Sequence, residues 1–287
     1  MLFFLSPFLF DAKKSLSIFL ACIFSFFSSV GLSPPCQGAG TSLKSGVTGC
    51  LYASTNKIRN NEFIGKVSSF KLFLAKNERE ACQLVLKSPN TQDNLEWVMT
   101  DLTNGNGDKL QCSVFKEAYI NVSTTDKPLY YPDALVPFAG GKFSITEKNI
   151  NQPYYIQVQT SPQTPAGEYT STITVKNNAA GEKVECIFNL SVTVWDFTLP
   201  VTPSCETAMG LDKWYITEKH GVDYNSAEAE ELNKKYYDYL LSRKISAYYL
   251  PFDILSDEAD AYMSDPRVTS FMIPYPSDDD TLVRYYT

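Results

Sequence analysis

The feature that most constrains the fold is a long alternating segment that ends at residues 195–200 in Trp-Asp-Phe-Thr-Leu-Pro. One set of alternate positions is apolar throughout: Cys186, Phe188, Leu190, Val192 and Val194. The intervening set is mostly polar, which predicts a strand with one buried face and one face in water. Because Pro200 and Pro203 have no backbone N–H to donate, the strand and its domain are predicted to end there.

The chain before Pro200 is predicted to be an antiparallel β-sandwich. From about residue 43 it consists of short alternating runs that are separated by turn residues. The run 81–86 places Cys82, Leu84 and Leu86 on one face. The runs 155–159 and 169–175 flank a Pro/Gly turn, and we interpret them as the two strands of a hairpin.

The chain after Pro200 has a different rhythm, which is typical of a parallel α/β unit. Short apolar segments at 207–211, 246–250 and 268–273 predict three strands. A capping box at Asn225–Glu228 predicts a helix, and Ser277 begins a second one. The buried stripe of the first helix is predicted to consist of Leu232, Tyr236, Tyr239 and Leu240.

The predicted fold class is therefore multidomain, β followed by α/β: an antiparallel β-sandwich and then the first strands of an incomplete TIM-type β/α barrel. We expect the sandwich at residues 41–203 and the start of the barrel at 204–287. Since three strands cannot close an eight-stranded barrel, we also expect the chain to be part of a longer protein.

Residues 1–40 resemble an export signal. Lys13 and Lys14 precede an apolar run from Leu16 to Leu32, and a small-residue segment follows. An uncleaved membrane anchor is the alternative, although the run is near the lower length limit for a span. Lipidation at Cys22 is disfavoured by Phe19. The chain is therefore predicted to be secreted or displayed at the cell surface, with no other membrane association.

Composition excludes several classes of function. The formal net charge of −7 disfavours nucleic acid and anionic membranes as partners. With His220 as the single histidine, a Ser-His-Asp or Cys-His site is improbable. The cysteines beyond residue 40 contain no CxxC pair, so neither a metal site nor a cofactor is expected. The inward Cys82 and Cys186 are equally compatible with buried thiols and with disulfides.

Several motifs together resemble glycoside hydrolase family 123, from about residue 45 to the last residue, in the order found in that family. They are the segments 77–86 (NEREACQLVL), 165–169 (PAGEY), 194–200 (VWDFTLP), 236–241 (YYDYLL), 243–246 (RKIS) and 265–268 (DPRV). The resemblance implies an exported bacterial β-N-acetylgalactosaminidase-like protein, whose sandwich precedes a catalytic barrel. Its partner would be a glycan with a terminal β-linked N-acetylhexosamine.

The resemblance also implies a retaining mechanism that is assisted by the substrate. The 2-acetamido oxygen of the sugar replaces the enzyme nucleophile. An adjacent Asp-Glu pair orients that group and supplies the acid and base. Asp257-Glu258 is such a pair, but it lies in a short helical segment and is followed by Ala259 rather than the usual proline. We interpret it as a solvated helix start and expect the catalytic pair beyond Thr287.

The candidate substrate-binding residues are Asp212, Trp214 and Asp253. The two aspartates follow the first two predicted barrel strands, and active sites of this fold gather at the carboxyl ends of the strands. The indole of Trp214 offers a flat apolar face to a pyranose ring. Structural roles are equally compatible: Asp253 as a helix cap and Trp214 packed on the sandwich. Tyr130, Tyr131 and Trp195 are further stacking candidates, although aromatics at a domain junction often serve packing.

A second function from a different class stays open. The sandwich is also compatible with a non-catalytic carbohydrate-binding or adhesive protein, because sandwiches support many unrelated functions.

Overall fold

The computed structural model of the protein describes residues 46–123, 126–178 and 184–273. The predicted export signal and the helix predicted from Ser277 lie outside these residues. Most of the described chain up to residue 198 is β-structure, and three helices follow it. Within the described residues, no helix has the length and apolar character that crossing a membrane requires.

Within the described residues, the β-structure comprises ten strands. They are β1 (Thr48–Ala53), β2 (Ser69–Lys76), β3 (Arg79–Lys87), β4 (Gln92–Met99), β5 (Gln111–Asn121), β6 (Tyr130–Pro137), β7 (Gly141–Ile145), β8 (Gln152–Gln159), β9 (Gly167–Asn177) and β10 (Val184–Thr198). They form two five-stranded sheets. The first sheet has the order β1-β3-β8-β5-β6 and the second has the order β2-β10-β9-β4-β7. The predicted sandwich is confirmed in this respect.

The pairing is antiparallel except at one edge of the second sheet, where β2 runs parallel to β10. Val192 is aligned with Leu72 there, and the register shifts between Val194 and Thr198. The purely antiparallel sandwich predicted from sequence is wrong at this edge. Alternation within a strand does not report the direction of its partner, so the sequence could not distinguish the two arrangements.

The core lies between the two sheets. The five alternate residues predicted to point inward from β10 are at most 2% exposed, which confirms that prediction. Cys82, Leu84 and Leu86 on β3 are fully buried in the same core. Gly49 allows a close approach, because a Cβ built there would lie 2.5 Å from Cζ of Phe188. Among the described cysteines, the thiols of Cys50, Cys82, Cys112 and Cys205 are in no disulfide.

The predicted hairpin of residues 155–159 and 169–175 is wrong. β8 pairs with β3 and β5 in the first sheet, whereas β9 pairs with β10 and β4 in the second. Both strands alternate because both turn one face to the shared core. The connection between them therefore crosses from one sheet to the other, and the Tyr169 hydroxyl donates to the carbonyl oxygen of Pro165 at 2.8 Å.

Three helices follow the sandwich: α1 (Lys213–His220), α2 (Ala227–Ser242) and α3 (Asp257–Met263). Ser226 caps α2 by accepting a hydrogen bond from the N–H of Ala229 at 3.1 Å. The cap is therefore one residue later than the capping box predicted. The buried residues of α2 are Ala229, Tyr237 and Leu241.

The predicted stripe of α2 is consequently wrong at its two tyrosines, whereas Leu240 packs against the buried cluster of Tyr237, Leu241 and Ala247. Leu232 and Leu240 are partly buried, and Tyr236 and Tyr239 are exposed. The buried tyrosine is Tyr237, whose ring packs edge-on against Tyr262 of α3 at a centroid distance of 5.2 Å. Because Tyr236 and Tyr237 are adjacent, the sequence does not show which of them lies on the buried face of α2. The contact between Tyr237 and Tyr262 of α3 determines that it is Tyr237.

Among the described residues, the strands predicted after Pro200 are reduced to isolated hydrogen-bonded contacts. One parallel bridge joins Met209 to Ala247, with α1 and α2 between them in the chain. Residues 268–273 are not a strand, although the N–H of Met272 donates to the carbonyl oxygen of Tyr248 at 2.8 Å. One parallel bridge across a helical connection is compatible with a barrel, but the start of a barrel stays a prediction.

Candidate functional site

A cavity of about 370 Å³ lies at the carboxyl end of the parallel bridge. Its lining includes both predicted aspartates, Asp212 and Asp253. Asp212 follows the bridging residue Met209, and Asp253 follows the bridging residue Ala247. Since parallel segments present their carboxyl ends at the same edge, both aspartates lie at one cavity.

Asp212 is also the N-cap of α1. Its backbone is extended, and Oδ1 accepts a hydrogen bond from the N–H of Trp214 at 2.8 Å. A cap satisfies one of the unpaired N–H groups at a helix start. The side chain remains exposed at the cavity, so its position is fixed while it stays accessible to a ligand.

Asp253 is held by a turn rather than by a capping interaction of its own. Its Oδ1 accepts from the N–H of Leu255 at 2.9 Å, and its carbonyl oxygen accepts from the Ser256 hydroxyl at 2.7 Å. Ser256 is the N-cap of α3. The alternative role considered for Asp253, a helix cap, therefore belongs to Ser256. The exposed Asp253 carboxylate is fixed at the cavity by its turn.

The rest of the cavity wall combines aromatic and charged side chains that the sequence analysis missed. Tyr224 and Tyr249 are each 45% exposed. Nζ of Lys213 lies 2.6 Å from Oε1 of Glu230 and 4.2 Å from the centroid of the Tyr224 ring. The ion pair and the cation–π contact hold the wall together. Tyr249 lies near the end of a predicted barrel strand, and that position is the signal that could have identified it.

Trp214 is not brought into this cavity. It is 53% exposed and packs edge-on against its neighbour Tyr215 at a centroid distance of 4.9 Å. Its exposed indole is a separate feature of α1.

Asp257 and Glu258 occupy the first turn of α3 and are exposed. Acidic residues there favour the helix through its dipole. This placement agrees with a solvated helix start, and neither residue lines the cavity of Asp212 and Asp253.

The remaining aromatic candidates lie on the sandwich. Trp195 stacks between Phe73 and Phe197, at centroid distances of 5.8 Å to each. All three rings are about half exposed. Tyr130 and Tyr131 are partly buried on the edge strand β6.

His220, the single histidine, is exposed and has a hydrogen-bond partner. Its Nε2 lies 3.0 Å from the Tyr236 hydroxyl oxygen. No group of three or more His, Cys, Asp or Glu side chains suited to a metal ion occurs within the described residues.

Comparison with known proteins identifies the sandwich. Residues 52–177 match the model of the glycoside hydrolase 123 N-terminal domain. The resemblance to family 123 that the sequence motifs indicated is therefore confirmed for this N-terminal domain. The chain has no significant match among curated protein sequences.

Among solved structures, the fold is similar to that of a family 123 glycoside hydrolase from Clostridium perfringens, which was analysed for its hydrolysis of glycolipid glycans. The TM-score is 0.58 and the sequence identity 14%, over 69% of this chain and 36% of that enzyme. The chain thus spans about a third of the length of that enzyme.

Two further similarities have scores too low to support an argument. The CooA pilin subunit of enterotoxigenic Escherichia coli has a TM-score of 0.27 and 15% identity, over 52% of this chain and 99% of the pilin. The MyfA fimbrial subunit of Yersinia enterocolitica has a TM-score of 0.28 and 12% identity, over 52% and 99% of the two chains.

Proposed function

We propose that the chain is part of an exported glycoside hydrolase that acts on glycans with a terminal β-linked N-acetylhexosamine. On this proposal the cavity of Asp212 and Asp253 is part of the sugar-binding site, at the edge of a β/α barrel. The observation that carries it is the convergence of two fixed carboxylates and two exposed tyrosines on one cavity of about 370 Å³. Clefts of this size suit small ligands.

The chemistry of the wall suits a sugar. Carboxylate oxygens at Asp212 and Asp253 accept hydrogen bonds from sugar hydroxyls, and charged acceptors make such bonds stronger than neutral ones. Tyr224 and Tyr249 supply apolar ring surface together with a polar tip. The amide of Asn233, which also lines the cavity, offers both a donor and an acceptor.

The described residues would bind and orient the sugar rather than cleave it. In the proposed mechanism the 2-acetamido oxygen attacks the anomeric carbon, and the bond to the leaving oxygen breaks as an enzyme carboxylic acid protonates it. The resulting carboxylate then activates a water molecule. Asp257 and Glu258 do not line the cavity of Asp212 and Asp253, so we do not assign the catalytic Asp-Glu pair to them. The chain alone is therefore expected to be inactive.

The experiment is a binding titration of N-acetylgalactosamine with the full chain, by isothermal calorimetry. Asp253→Asn keeps an oxygen for the Leu255 N–H but removes the charge, so it should weaken binding roughly tenfold, as expected for the loss of ~1.4 kcal/mol. Asp257→Asn, on the exposed first turn of α3, is the matched control and should bind normally. Equal affinity of Asp253→Asn and the unmutated chain would contradict the assignment of the site.

A second candidate is a non-catalytic carbohydrate-binding sandwich. The observation that favours it is the exposed stack of Phe73, Trp195 and Phe197, since exposed contiguous aromatic surface marks interaction sites. It predicts that Trp195→Ala abolishes retention of the chain on an N-acetylgalactosamine matrix, whereas Asp253→Asn has no effect. The opposite pattern supports the cavity at Asp212 and Asp253.

A further inference from the structure

We propose that a second cavity, in the sandwich at Glu117 and Asn151, binds a neutral hydroxyl-bearing ligand about the size of one pyranose ring. The cavity has a volume of about 450 Å³ and lies between β5, β6, β8 and the loop before β8. It belongs to the N-terminal domain and shares no lining residue with the cavity of Asp212 and Asp253. The inference therefore goes beyond the proposed hydrolase function and does not depend on it.

The first observation is a pair of buried oxygen atoms that lack donors. Glu117 is 6% exposed and Asn151 is 1% exposed. Oε1 of Glu117 and Oδ1 of Asn151 have no hydrogen-bond partner among the residues that the structure describes. Both residues line the same cavity. Two acceptors without donors at one cavity require a partner that donates.

The amide of Asn151 cannot rotate to relieve this deficit. Its Nδ2 donates to the carbonyl oxygen of Arg59 at 2.7 Å and to that of Glu62 at 3.0 Å. Its backbone N–H donates to the carbonyl oxygen of Asn60 at 2.7 Å. These three bonds hold the 59–62 loop and fix the direction of Oδ1. A flip of the amide would lose both side-chain bonds.

Leaving these oxygens unpaired is unfavourable. A buried acceptor without a donor costs ~1–3 kcal/mol, and more when it is charged. Native proteins keep few such groups, and those that they keep are usually explained by bound water, an ion, stored strain or a functional role. Hydroxyl groups of a ligand, or water in its absence, are the donors that fit here.

The charges around the cavity favour a neutral ligand. Lys116 and Glu147 both line it, and their charges offset one another. Burial raises the pKa of Glu117 to about 7, and the nearby charge of Lys57 partly opposes that shift. A metal ion is disfavoured, because Lys116 lines the cavity and no group of three or more His, Cys, Asp or Glu side chains suited to a metal occurs among the described residues. An anion would meet the amide oxygen of Asn151, which only accepts, and the negative charges of Glu147 and of ionised Glu117.

Aromatic side chains complete the wall. Tyr119 and Tyr130 line the cavity, and the Tyr119 hydroxyl donates to the carbonyl oxygen of Ile58 at 3.0 Å, which fixes that ring. Apolar ring surface beside a few convergent polar atoms is typical of small-molecule sites of 300–1,000 Å³. A pyranose matches this combination, because its C–H groups suit a ring surface and its hydroxyls are donors.

The test is an NMR titration of the full chain with N-acetylgalactosamine, galactose, N-acetylglucosamine and glycerol as probes. The side-chain amide of Asn151 reports on this cavity, and that of Asn233 reports on the cavity of Asp212 and Asp253. We expect at least one sugar to shift the Asn151 signals in a saturable way. Because the two amides are read separately, failure of one site is distinguishable from failure of the other.

A variant gives the second measurement. Glu117→Met has a similar volume and removes the unpaired carboxyl group, so it should raise Tm while it weakens sugar binding at Asn151 by at least roughly tenfold. A purely structural carboxyl group would give the opposite change in Tm. Asp133→Asn, on the exposed part of β6, is the control and should change neither. If Glu117→Met does not fold, Glu117→Gln should still weaken binding.

No saturable shift of the Asn151 signals with any of the four probes would overturn the proposal and indicate a cavity that holds water only. A saturable shift that Glu117→Gln leaves unchanged would overturn it as well, because the binding would not involve Glu117.

Discussion

Nη1 of Arg243 donates a hydrogen bond to Oε1 of Gln157 at 2.7 Å, and this bond joins the end of helix α2 to the outer face of the first sheet. Arg79 makes a second link, from its guanidinium to the carbonyl oxygen of Ser242. The charge of Arg243 contributes to a lowered pKa of Arg79, after burial, which is the larger cause. Two cations are thus held close together at the junction of sandwich and helices.

The first prediction is that the junction depends on Arg243. Arg243→Ala removes a hydrogen bond from a charged donor, and such bonds contribute ~1.5–3 kcal/mol. We expect the free energy of unfolding to fall by about that amount, as measured by urea denaturation. Hydrogen exchange should accelerate at the carboxyl end of α2 while the strand amides of β9 and β10 stay protected. Uniform acceleration across both parts would contradict a local role.

The second prediction concerns Lys244, which has a positive φ of 61°. The N–H of Ile245 donates to the carbonyl oxygen of Leu240 at 3.0 Å, and the N–H of Lys244 to that of Leu241 at 3.0 Å. This is the Schellman pattern at the end of a helix, and it favours glycine at the position of Lys244.

Lys244→Gly should therefore stabilise the chain by ~1 kcal/mol, because the left-handed conformation costs an L-residue about that much. Lys244→Ala is the matched control: it removes the charge but keeps the Cβ, so it should gain little. The measurement is the urea midpoint of the three proteins. Equal midpoints for the glycine and alanine variants would show that backbone strain is absent at this position.

The third prediction concerns the close approach at Gly49. A Cβ at this position would lie 2.5 Å from Cζ of Phe188 and 2.9 Å from Cδ2 of Leu86. Gly49→Ala should cost ~1–3 kcal/mol by overpacking. Phe188→Leu provides space at the same point, so the double variant should be more stable than the sum of the two single effects predicts. Strict additivity of the unfolding free energies would contradict the contact.

The features that the sequence predicted correctly are local, whereas those that it missed depend on residues far apart in the chain. The inward face of β10 follows from alternation within one strand, which is a local signal. The separation of β8 and β9 into different sheets, and the parallel pairing of β2, depend on which distant strand lies alongside. Those pairings join Phe70 with Leu190 and Gln83 with Tyr155 across long stretches of chain, and no periodicity encodes them.

The candidate sites divide in the same way. Asp212 and Asp253 were predicted because position after a strand is visible in the sequence. Tyr224 reaches that cavity from the turn before α2 and Glu230 from α2 itself, and the capping motif at the start of α2 did not reveal either position. Glu117 and Asn151 gave no signal, because the unpaired oxygens depend on how a loop and a strand meet.

The last prediction is a pH dependence of stability that arises from Glu117. Burial raises its pKa from the ordinary 4.5 to about 7, with Lys57 acting in the opposite direction, and Tyr119 and Tyr155 are close enough for its charge to raise their pKa values. The folded protein therefore binds a proton that the unfolded chain has released between these two values. Stability from this group is present below pH 4.5, falls as the pH rises to about 7, and is constant above that.

Glu117→Gln cannot release this proton, so its free energy of unfolding should lack that decline. The measurement is urea denaturation of both proteins at several pH values from 4 to 8, and the difference between the two curves isolates the contribution of Glu117 from other titrating groups. Glu147→Gln, at the wall of the same cavity, is the matched control and should keep the decline. A constant difference between the unmutated chain and Glu117→Gln across this range would mean that the Glu117 carboxyl group titrates as an ordinary solvated glutamate. In that case water would donate the hydrogen bonds that the cavity oxygens lack, because an ionised Glu117 is tolerated only where water reaches it.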